Sequence, residues 1–252
     1  MTSPDRQTPA PPSWVLMGIE PLRAAIEYAA MKLMDRQSLP AGDGHAVVLF
    51  PGLASDRHAT VPLQHFCESL GYVALDWGRG FNTGPDQEID AWLDALAQDI
   101  DQLTQAHGPR VSLVGWSLGG IYAREVGKRL PHRVRQIITL GTPFAGGPGS
   151  TNATLVYRLL NGRSPPLDQD LIERLKTPPR VPTTSIYSRS DGIVAWQACL
   201  QDGDHAQSEN IEVAGSHCGL GWNASVYAVI ADRLGQREDR WQPYATTSAP
   251  PA

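Results

Sequence analysis

What this 252-residue chain has little of excludes several classes of protein. Basic residues are not in excess, since 21 Lys and Arg stand against 26 Asp and Glu, and the net charge is -5 at pH 7. Nucleic-acid binding calls for a basic patch or stripe. Apolar runs are short, and none reaches the 18 residues of a membrane-spanning helix. We therefore expect neither a nucleic-acid partner nor a membrane span.

Cysteine is also scarce. The three cysteines, Cys67, Cys199 and Cys218, lack the spacing of a metal site, and we predict neither a metal nor a cofactor. The first residues have neither the basic start nor the apolar segment of a signal peptide. An odd number of cysteines then fits reduced thiols, so we expect a cytoplasmic protein.

Short apolar runs alternate with helical patterns between two ends rich in proline and small polar residues. Residues 1–12 and 243–252 can bury little, and we predict that they are disordered tails of a single domain over 13–242. The alternation predicts a mostly parallel six-stranded sheet flanked by helices. The predicted strands are 46–50, 72–75, 111–114, 136–140, 184–187 and 211–214.

The segment 144–182 breaks this rhythm. Gly and Pro are frequent at its ends, and two short amphipathic helices fit near 153–160 and 168–175. Because it follows the carboxyl end of a strand, where open α/β sheets bind ligands, we predict a helical lid. A decoration of the sheet edge without substrate contact is the alternative. As a lid, the segment would line an apolar substrate pocket with Leu159 and Leu171, and Trp77, Phe81 and Trp116 would complete the wall.

The most informative stretch is Gly115-Trp116-Ser117-Leu118-Gly119. An apolar run typical of a buried strand comes before it, and a helical pattern follows. Strand, G-x-S-x-G and helix together are typical of a sharp turn that holds a nucleophilic serine above the sheet edge. Side chains at the two flanking glycines would collide with the neighbouring strand and helix. The pattern therefore predicts that Ser117 is a nucleophile.

A nucleophilic serine needs a histidine base, and the histidine needs a carboxylate that fixes its tautomer. In this architecture the acid and then the histidine follow the serine along the chain. Asp191 is the only acid in the loop after the fifth strand, although a plain Asp-Gly turn would contain it too. His217 is the only histidine after the last strand. We predict a catalytic triad of Ser117, Asp191 and His217.

Acyl transfer also needs hydrogen-bond donors where negative charge develops on the substrate oxygen. The backbone N–H of Leu118, directly after the nucleophile, is one predicted donor. The other is the N–H of Leu53, in the loop Pro51-Gly52-Leu53 after the first strand. An ordinary Pro-Gly turn is the alternative interpretation of that loop.

With these motifs the chain resembles the α/β-hydrolase superfamily, and within it compact bacterial lipase- and esterase-like proteins. The resemblance covers roughly residues 45–235 and implies a serine esterase or lipase that acts on a small-molecule or lipid ester through an acyl-enzyme. Pro51-Gly52 departs from the His-Gly of many lipases. Further similar stretches are Leu140-Gly141-Thr142-Pro143, Ser190-Asp191-Gly192-Ile193-Val194 and Gly215-Ser216-His217-Cys218-Gly219-Leu220.

Two questions stay open at this point. The same triad would serve a thioesterase, an amide hydrolase or an acyltransferase, and a binding protein could keep the fold without turnover. The N-terminal segment carries an apolar helical stripe with Leu22, Ile26 and Leu33. This stripe either packs onto the domain or lies at a lipid interface, which is the only membrane contact that we expect.

Overall fold

A single parallel sheet organises the chain. The computed structural model describes residues 9–146, 150–151, 169–202, 205–238 and 240–245. Its six strands are all parallel, in the order β2-β1-β3-β4-β5-β6, which confirms the predicted sheet. They are β1 (Ala46–Phe50), β2 (Val73–Asp76), β3 (Val111–Trp116), β4 (Val134–Leu140), β5 (Thr183–Tyr187) and β6 (Ser208–Glu212).

Helices cover both faces of this sheet. In the described residues the α-helices are α1 (Trp14–Lys32), α2 (Arg57–Ser69), α3 (Ile89–Thr104), α4 (Leu118–Arg129), α5 (Gln169–Lys176) and α6 (Ala224–Gly235). Successive side chains of a strand point to opposite faces. In β1, Val47 and Leu49 accordingly join the core formed with α2 and α6, whereas Val48 and Phe50 join the core formed with α3 and α4.

The last strand is displaced from its predicted position. β6 begins at Ser208 and ends at Glu212, whereas the apolar pattern predicts 211–214. β6 lies at the edge of the sheet and pairs only with β5 among the described strands. Asn210 is exposed there, and Glu209 is tolerated because Arg233 and the Tyr244 N–H bind its carboxylate, so the strand lacks an apolar signal.

The segment 144–182 is described only in part. The first of its two predicted helices, with Leu159, lies outside the described residues. The second is α5, in which Leu171 is buried. Lys128 Nζ donates to the Arg174 carbonyl, and Arg174 pairs with Asp90 of α3. These contacts anchor α5 on α3 and on the far end of α4 from Ser117. None of the described contacts brings Leu171 to Ser117, so its place in a substrate pocket stays a prediction.

Tyr244, within the predicted C-terminal tail of 243–252, contacts the domain. The Tyr244 N–H donates to Glu209 Oε2 at 2.7 Å, and the Arg233 guanidinium lies 5.5 Å from the centre of the Tyr244 ring. Within the ranges given above, no helix combines the length and the apolar character needed to cross a membrane.

Candidate active site

Ser117 sits at a strained turn between β3 and α4. Its backbone has φ 54° and ψ -121°, a conformation that residues other than glycine rarely adopt. The Ser117 N–H donates to the Leu140 carbonyl of the neighbouring strand at 2.8 Å, which helps to hold the turn in place. Strain of this kind persists only where the surrounding structure enforces it, and it is concentrated at functional sites.

The glycines around Ser117 are required by close packing. A Cβ atom at Gly115 would lie 2.5 Å from the Gly119 carbonyl oxygen, and one at Gly119 would lie 2.4 Å from the Phe50 carbonyl oxygen. Gly120 also lies against Thr142, where a Cβ would come within 1.9 Å of Oγ1. The predicted collision of side chains at Gly115 and Gly119 with neighbouring elements is therefore confirmed.

Asp191 and His217 meet at the carboxyl ends of β5 and β6. Asp191 Oδ2 lies 2.6 Å from His217 Nδ1, and both side chains are buried. The other carboxylate oxygen, Oδ1, accepts the backbone N–H groups of Ile193 at 2.8 Å and Val194 at 2.7 Å. Because two N–H groups hold Oδ1, Oδ2 is directed at the imidazole and Nδ1 carries the proton in the neutral ring.

Gly141 is a part of this site that the sequence reasoning did not assign. It has φ +55°, and a Cβ atom there would lie 3.0 Å from His217 Nδ1 and 3.2 Å from Asp191 Oδ2. Any side chain would press on the contact between the histidine and the acid. The signal available in the sequence was Leu140-Gly141-Thr142-Pro143, which the resemblance identified but which no chemistry explained.

The electrostatic environment favours the protonated form of His217. Burial alone would lower the pKa of His217, but the Asp191 carboxylate outweighs it through its charge and its hydrogen bond, and Glu20 adds a further negative charge. The result is a pKa of His217 above its ordinary value of 6.5. A histidine with a raised pKa is a stronger base and is better able to take a proton from a serine.

Trp116 connects Ser117 to the histidine loop. Its indole Nε1 donates to the His217 carbonyl at 3.1 Å, and its ring packs edge-on against Trp222 at 5.8 Å. Trp116 therefore braces His217 from β3, and its predicted place in a pocket wall stays a prediction. In the described residues no hydrogen bond joins the Ser117 hydroxyl to His217. Catalytic hydrogen bonds often tighten only when substrate binds.

The two predicted donor groups flank Ser117. A Cβ atom on Gly52 would lie 3.4 Å from Ser117 Cβ, so the loop that contains Leu53 runs directly beside the serine. Asn82 holds this loop, since its Nδ2 donates to the Pro51 carbonyl at 2.9 Å. Leu118 is the first residue of α4. Among the described hydrogen bonds none uses the N–H of Leu53 or of Leu118, and their role as donors to a substrate oxygen stays a prediction.

Comparison with known proteins places this chain in one family. Residues 47–251 match the family model of the alpha/beta hydrolase family. The chain belongs to this family. The fold class inferred from the sequence is thereby confirmed, because the parallel sheet, the flanking helices and the family match agree.

The relatives of this hydrolase include esterases and thioesterases. The mitochondrial palmitoyl-protein thioesterase ABHD10 of Mus musculus is 23% identical, over 76% of this chain and 76% of its own length. The pimeloyl-(acyl-carrier protein) methyl ester esterase of Shewanella woodyi is 31% identical, over 40% of this chain and 37% of its own length. The structure of Aspergillus fumigatus lipase B has a TM-score of 0.58 at 19% identity, covering 84% of this chain and 59% of that one. At this identity, the similarity between this chain and lipase B shows a shared fold only.

A cavity of about 350 Å³ lies beside the loop that contains Leu53 in this hydrolase. Asn82, which holds that loop, lines the cavity together with Trp77 and Phe81. Phe81 is half exposed, whereas Trp77 is almost fully buried and stacks on Tyr122. Phe81 is therefore accessible at this wall, and Trp77 forms its rigid base.

Helix α1 packs onto the domain with its apolar stripe facing outward. Leu22, Ile26 and Leu33 are 65%, 61% and 87% exposed, while Glu20 on the inner side is 2% exposed. The expectation that this stripe packs onto the domain is wrong. The inner side is held by polar contacts to loops distant in sequence, which helical periodicity does not reveal.

Proposed function

We propose that this protein is a serine hydrolase that cleaves carboxylic esters through an acyl-enzyme on Ser117. The observation that carries the proposal is the 2.6 Å contact between His217 Nδ1 and Asp191 Oδ2. It lies at the carboxyl ends of the strands, where the strained Ser117 also lies. A strained serine, a buried histidine with a raised pKa and a fixed carboxylate are the parts that acyl transfer needs.

In the acylation step, Ser117 Oγ attacks the ester carbonyl carbon while His217 Nε2 takes the hydroxyl proton. The carbonyl oxygen becomes an oxyanion that accepts the N–H groups of Leu53 and Leu118. When the tetrahedral intermediate collapses, the bond to the alcohol breaks and His217 returns the proton to the leaving oxygen. Water then attacks the acyl-enzyme by the same route, releasing the acid and restoring Ser117.

The same groups would also cleave a thioester, which is the alternative favoured by one observation. The relative that matches over 76% of this chain is named a palmitoyl-protein thioesterase. Acyl transfer to an alcohol or amine would use the same acyl-enzyme with a different acceptor. A non-catalytic binding protein would have no use for a serine held in strained backbone.

The proposal is tested with a serine-reactive probe and with a series of esters that differ only in acyl chain length. We expect a fluorophosphonate probe to label wild-type protein at Ser117, and p-nitrophenyl esters from acetate to palmitate to be hydrolysed. If an apolar pocket binds the acyl chain, KM falls as the chain lengthens, because each buried CH₂ contributes about 0.8 kcal/mol.

Two outcomes would change the assignment. A kcat/KM for palmitoyl-coenzyme A far above that for p-nitrophenyl palmitate would identify a thioesterase. Protein that neither reacts with the probe nor hydrolyses any substrate would contradict enzymatic function and leave the binding protein.

We further propose that the outer face of α1 rests on a lipid–water surface. Its exposed apolar residues extend over the whole helix: Trp14, Val15, Ile19, Leu22, Ile26 and Leu33. The charged residues between Trp14 and Met31 are Glu20, Arg23 and Glu27, and none of them is exposed. Lys32, at the last position of the helix, is exposed, and the rest of the outer face carries no charge, which suits insertion into the acyl boundary of a bilayer. It also suits an enzyme whose esters are held in that bilayer.

The lipid contact is tested with vesicles of phosphatidylcholine. We expect wild-type protein to float with them, with little dependence on salt because phosphatidylcholine carries no net charge and the contact is mainly apolar. Replacing Leu22 and Ile26 together with glutamine removes two side chains, each worth about 1.5–3 kcal/mol when buried. The double variant should lose vesicle binding and keep its activity on soluble p-nitrophenyl acetate. Val73→Gln, at an exposed valine of β2, is the matched control.

Two results would contradict a lipid contact. One is equal flotation of the double variant and the wild type. The other is a dimer that forms with rising concentration and is lost in the double variant, since the outer face would then bind a second copy.

A further inference from the structure

Glu20 is a buried carboxylate in the helix that precedes the first strand. It belongs to α1, yet only 2% of it is exposed. Burying a carboxylate costs several kcal/mol unless hydrogen bonds or opposite charges compensate. The groups that offset the cost of burying the Glu20 carboxylate therefore identify the part of the protein to which the helix is bound.

Three backbone N–H groups donate to Glu20, and all belong to the loops that carry Asp191 and His217. Oε1 accepts the Gly192 N–H at 2.8 Å and the His217 N–H at 3.0 Å. Oε2 accepts the Cys218 N–H at 2.8 Å. One carboxylate thus binds the residue after Asp191, the backbone of His217 and the residue after His217.

The rest of the inner side of α1 grips the same two loops. Glu27 Oε1 accepts the Ser216 N–H at 2.7 Å. Arg23 donates to the Ser190 carbonyl at 2.5 Å and to the Ser190 hydroxyl at 2.8 Å. These contacts hold the residue before Asp191 and the residue before His217. The three charged residues of the inner side therefore all bind neighbours of the acid and the histidine.

Glycines in the two loops make this close approach possible. A Cβ atom on Gly192 would lie 2.6 Å from the backbone carbon of Leu16 in α1. One on Gly219 would lie 1.9 Å from Glu27 Oε2. Both glycines flank the predicted catalytic residues, and α1 explains why neither position has room for a side chain.

We propose that Glu20 is a positioning residue that ties the Asp191 loop to the His217 loop and so holds the two side chains in register. The proposal rests on the proposed hydrolytic function. It assigns Glu20 no contact with substrate: its carboxylate acts through the backbone of the two loops. Because a misplacement of about 1 Å can cost about 100-fold in rate, a tie of this kind has a catalytic consequence.

Glu20 also contributes charge near His217. The negative groups near the imidazole are Asp191, which contacts the ring, Glu20, which binds the His217 N–H, and Glu27, which binds the N–H of the preceding residue Ser216. Arg23 Nη1 lies 3.7 Å from Glu20 Oε1 and offsets part of the charge of Glu20. The Cys218 thiol stays neutral, since burial raises its pKa to about 12. Removing the charge of Glu20 therefore makes the imidazolium less favourable.

The test compares Glu20→Gln with wild type on a soluble ester. An amide cannot accept on both sides, so one of the three N–H groups faces an NH₂ group and the tie is broken. We expect kcat to fall about 10- to 100-fold with little change in KM. Wild-type kcat/KM should decline as pH falls through a value above 6.5, where His217 becomes protonated. In Glu20→Gln this midpoint should move to lower pH.

Two further variants separate positioning from general damage. Glu125→Gln removes another carboxylate, 1% exposed, which pairs with Lys128 and Arg129 of α4. It should lower the melting temperature and leave the pH midpoint in place. Glu20→Asp keeps the charge but is one methylene too short to reach both loops. It should lower kcat while the midpoint stays near that of wild type, and it tests the tie if Glu20→Gln does not fold.

The outcomes that overturn the proposal differ from those that overturn the hydrolytic function. Equal kcat and equal pH midpoints in Glu20→Gln and an active wild type would refute positioning and leave the hydrolase intact. Wild type without turnover or probe labelling would refute the hydrolase. In that case the backbone amide signals of Gly192, His217 and Cys218 are compared by NMR in both proteins, and unchanged signals in Glu20→Gln refute the tie.

Discussion

Ser117→Ala should abolish ester hydrolysis while the protein stays folded. The change removes only the hydroxyl that forms the acyl bond, and both side chains must adopt the same φ of 54°. We expect a loss on the order of 10⁴-fold or more in kcat, as for removal of the nucleophile from other triads. The measurement is turnover of a p-nitrophenyl ester, with the melting temperature followed by circular dichroism.

A buried serine of β3, the strand that leads to Ser117, provides the control. Ser112, at the other end of β3, has its hydroxyl 2.8 Å from His45 Nε2. Ser112→Ala should cost some stability and keep most of the activity. Ser117→Ala with a tenth or more of wild-type turnover would mean that another residue is the nucleophile.

Asp191→Asn should cost on the order of 10⁴-fold in kcat, because the amide would select the wrong imidazole tautomer. Ile193 and Val194 donate to Oδ1, so the oxygen of the amide stays on that side and its NH₂ group faces His217 Nδ1. His217 must then accept at Nδ1 and carry its proton on Nε2. In that state it can no longer take the proton of Ser117.

Asp202 is the matched control for this change. It follows the same strand along the chain but is exposed, and the described contacts of His217 do not include it. Asp202→Asn should leave kcat within about twofold of wild type, in line with the small effects of exposed sites. A nearly silent Asp191→Asn would show that the carboxylate beside His217 in the structure is not the acid of the triad.

Much of the core could be predicted because its signals are local. β1 is continuously apolar since helices cover both faces of the sheet, and such a run is recognisable without knowledge of the partners. The turn at Ser117 has a local sequence pattern, but only Gly115 is forced by near neighbours in the chain, Gly119 and Gly120, whereas Gly119 is forced by Phe50 at the end of β1. Ser117, Asp191 and His217 follow β3, β5 and β6, so their order along the chain is the order of those strands.

Other features needed the tertiary structure because their cause lies far away in the chain. Gly141 is required by His217 and Asp191, which come 76 and 50 residues later, and its own neighbours give no sign of this. β6 lacks an apolar signal because it is an edge strand, and only the order of the strands in the sheet shows this.

Helix α1 shows the division most clearly. The sequence by itself indicated an apolar helical stripe with Leu22, Ile26 and Leu33 in the N-terminal segment, since propensity and periodicity act within a few residues, and the structure has this helix at Trp14–Lys32. Which side faces the protein was decided by hydrogen bonds from Gly192, His217 and Cys218, more than 170 residues away. A buried carboxylate is stable only where such donors converge. Their convergence is a property of the folded sheet, so the tertiary structure alone turned the charged side of α1 inward and left its apolar side exposed.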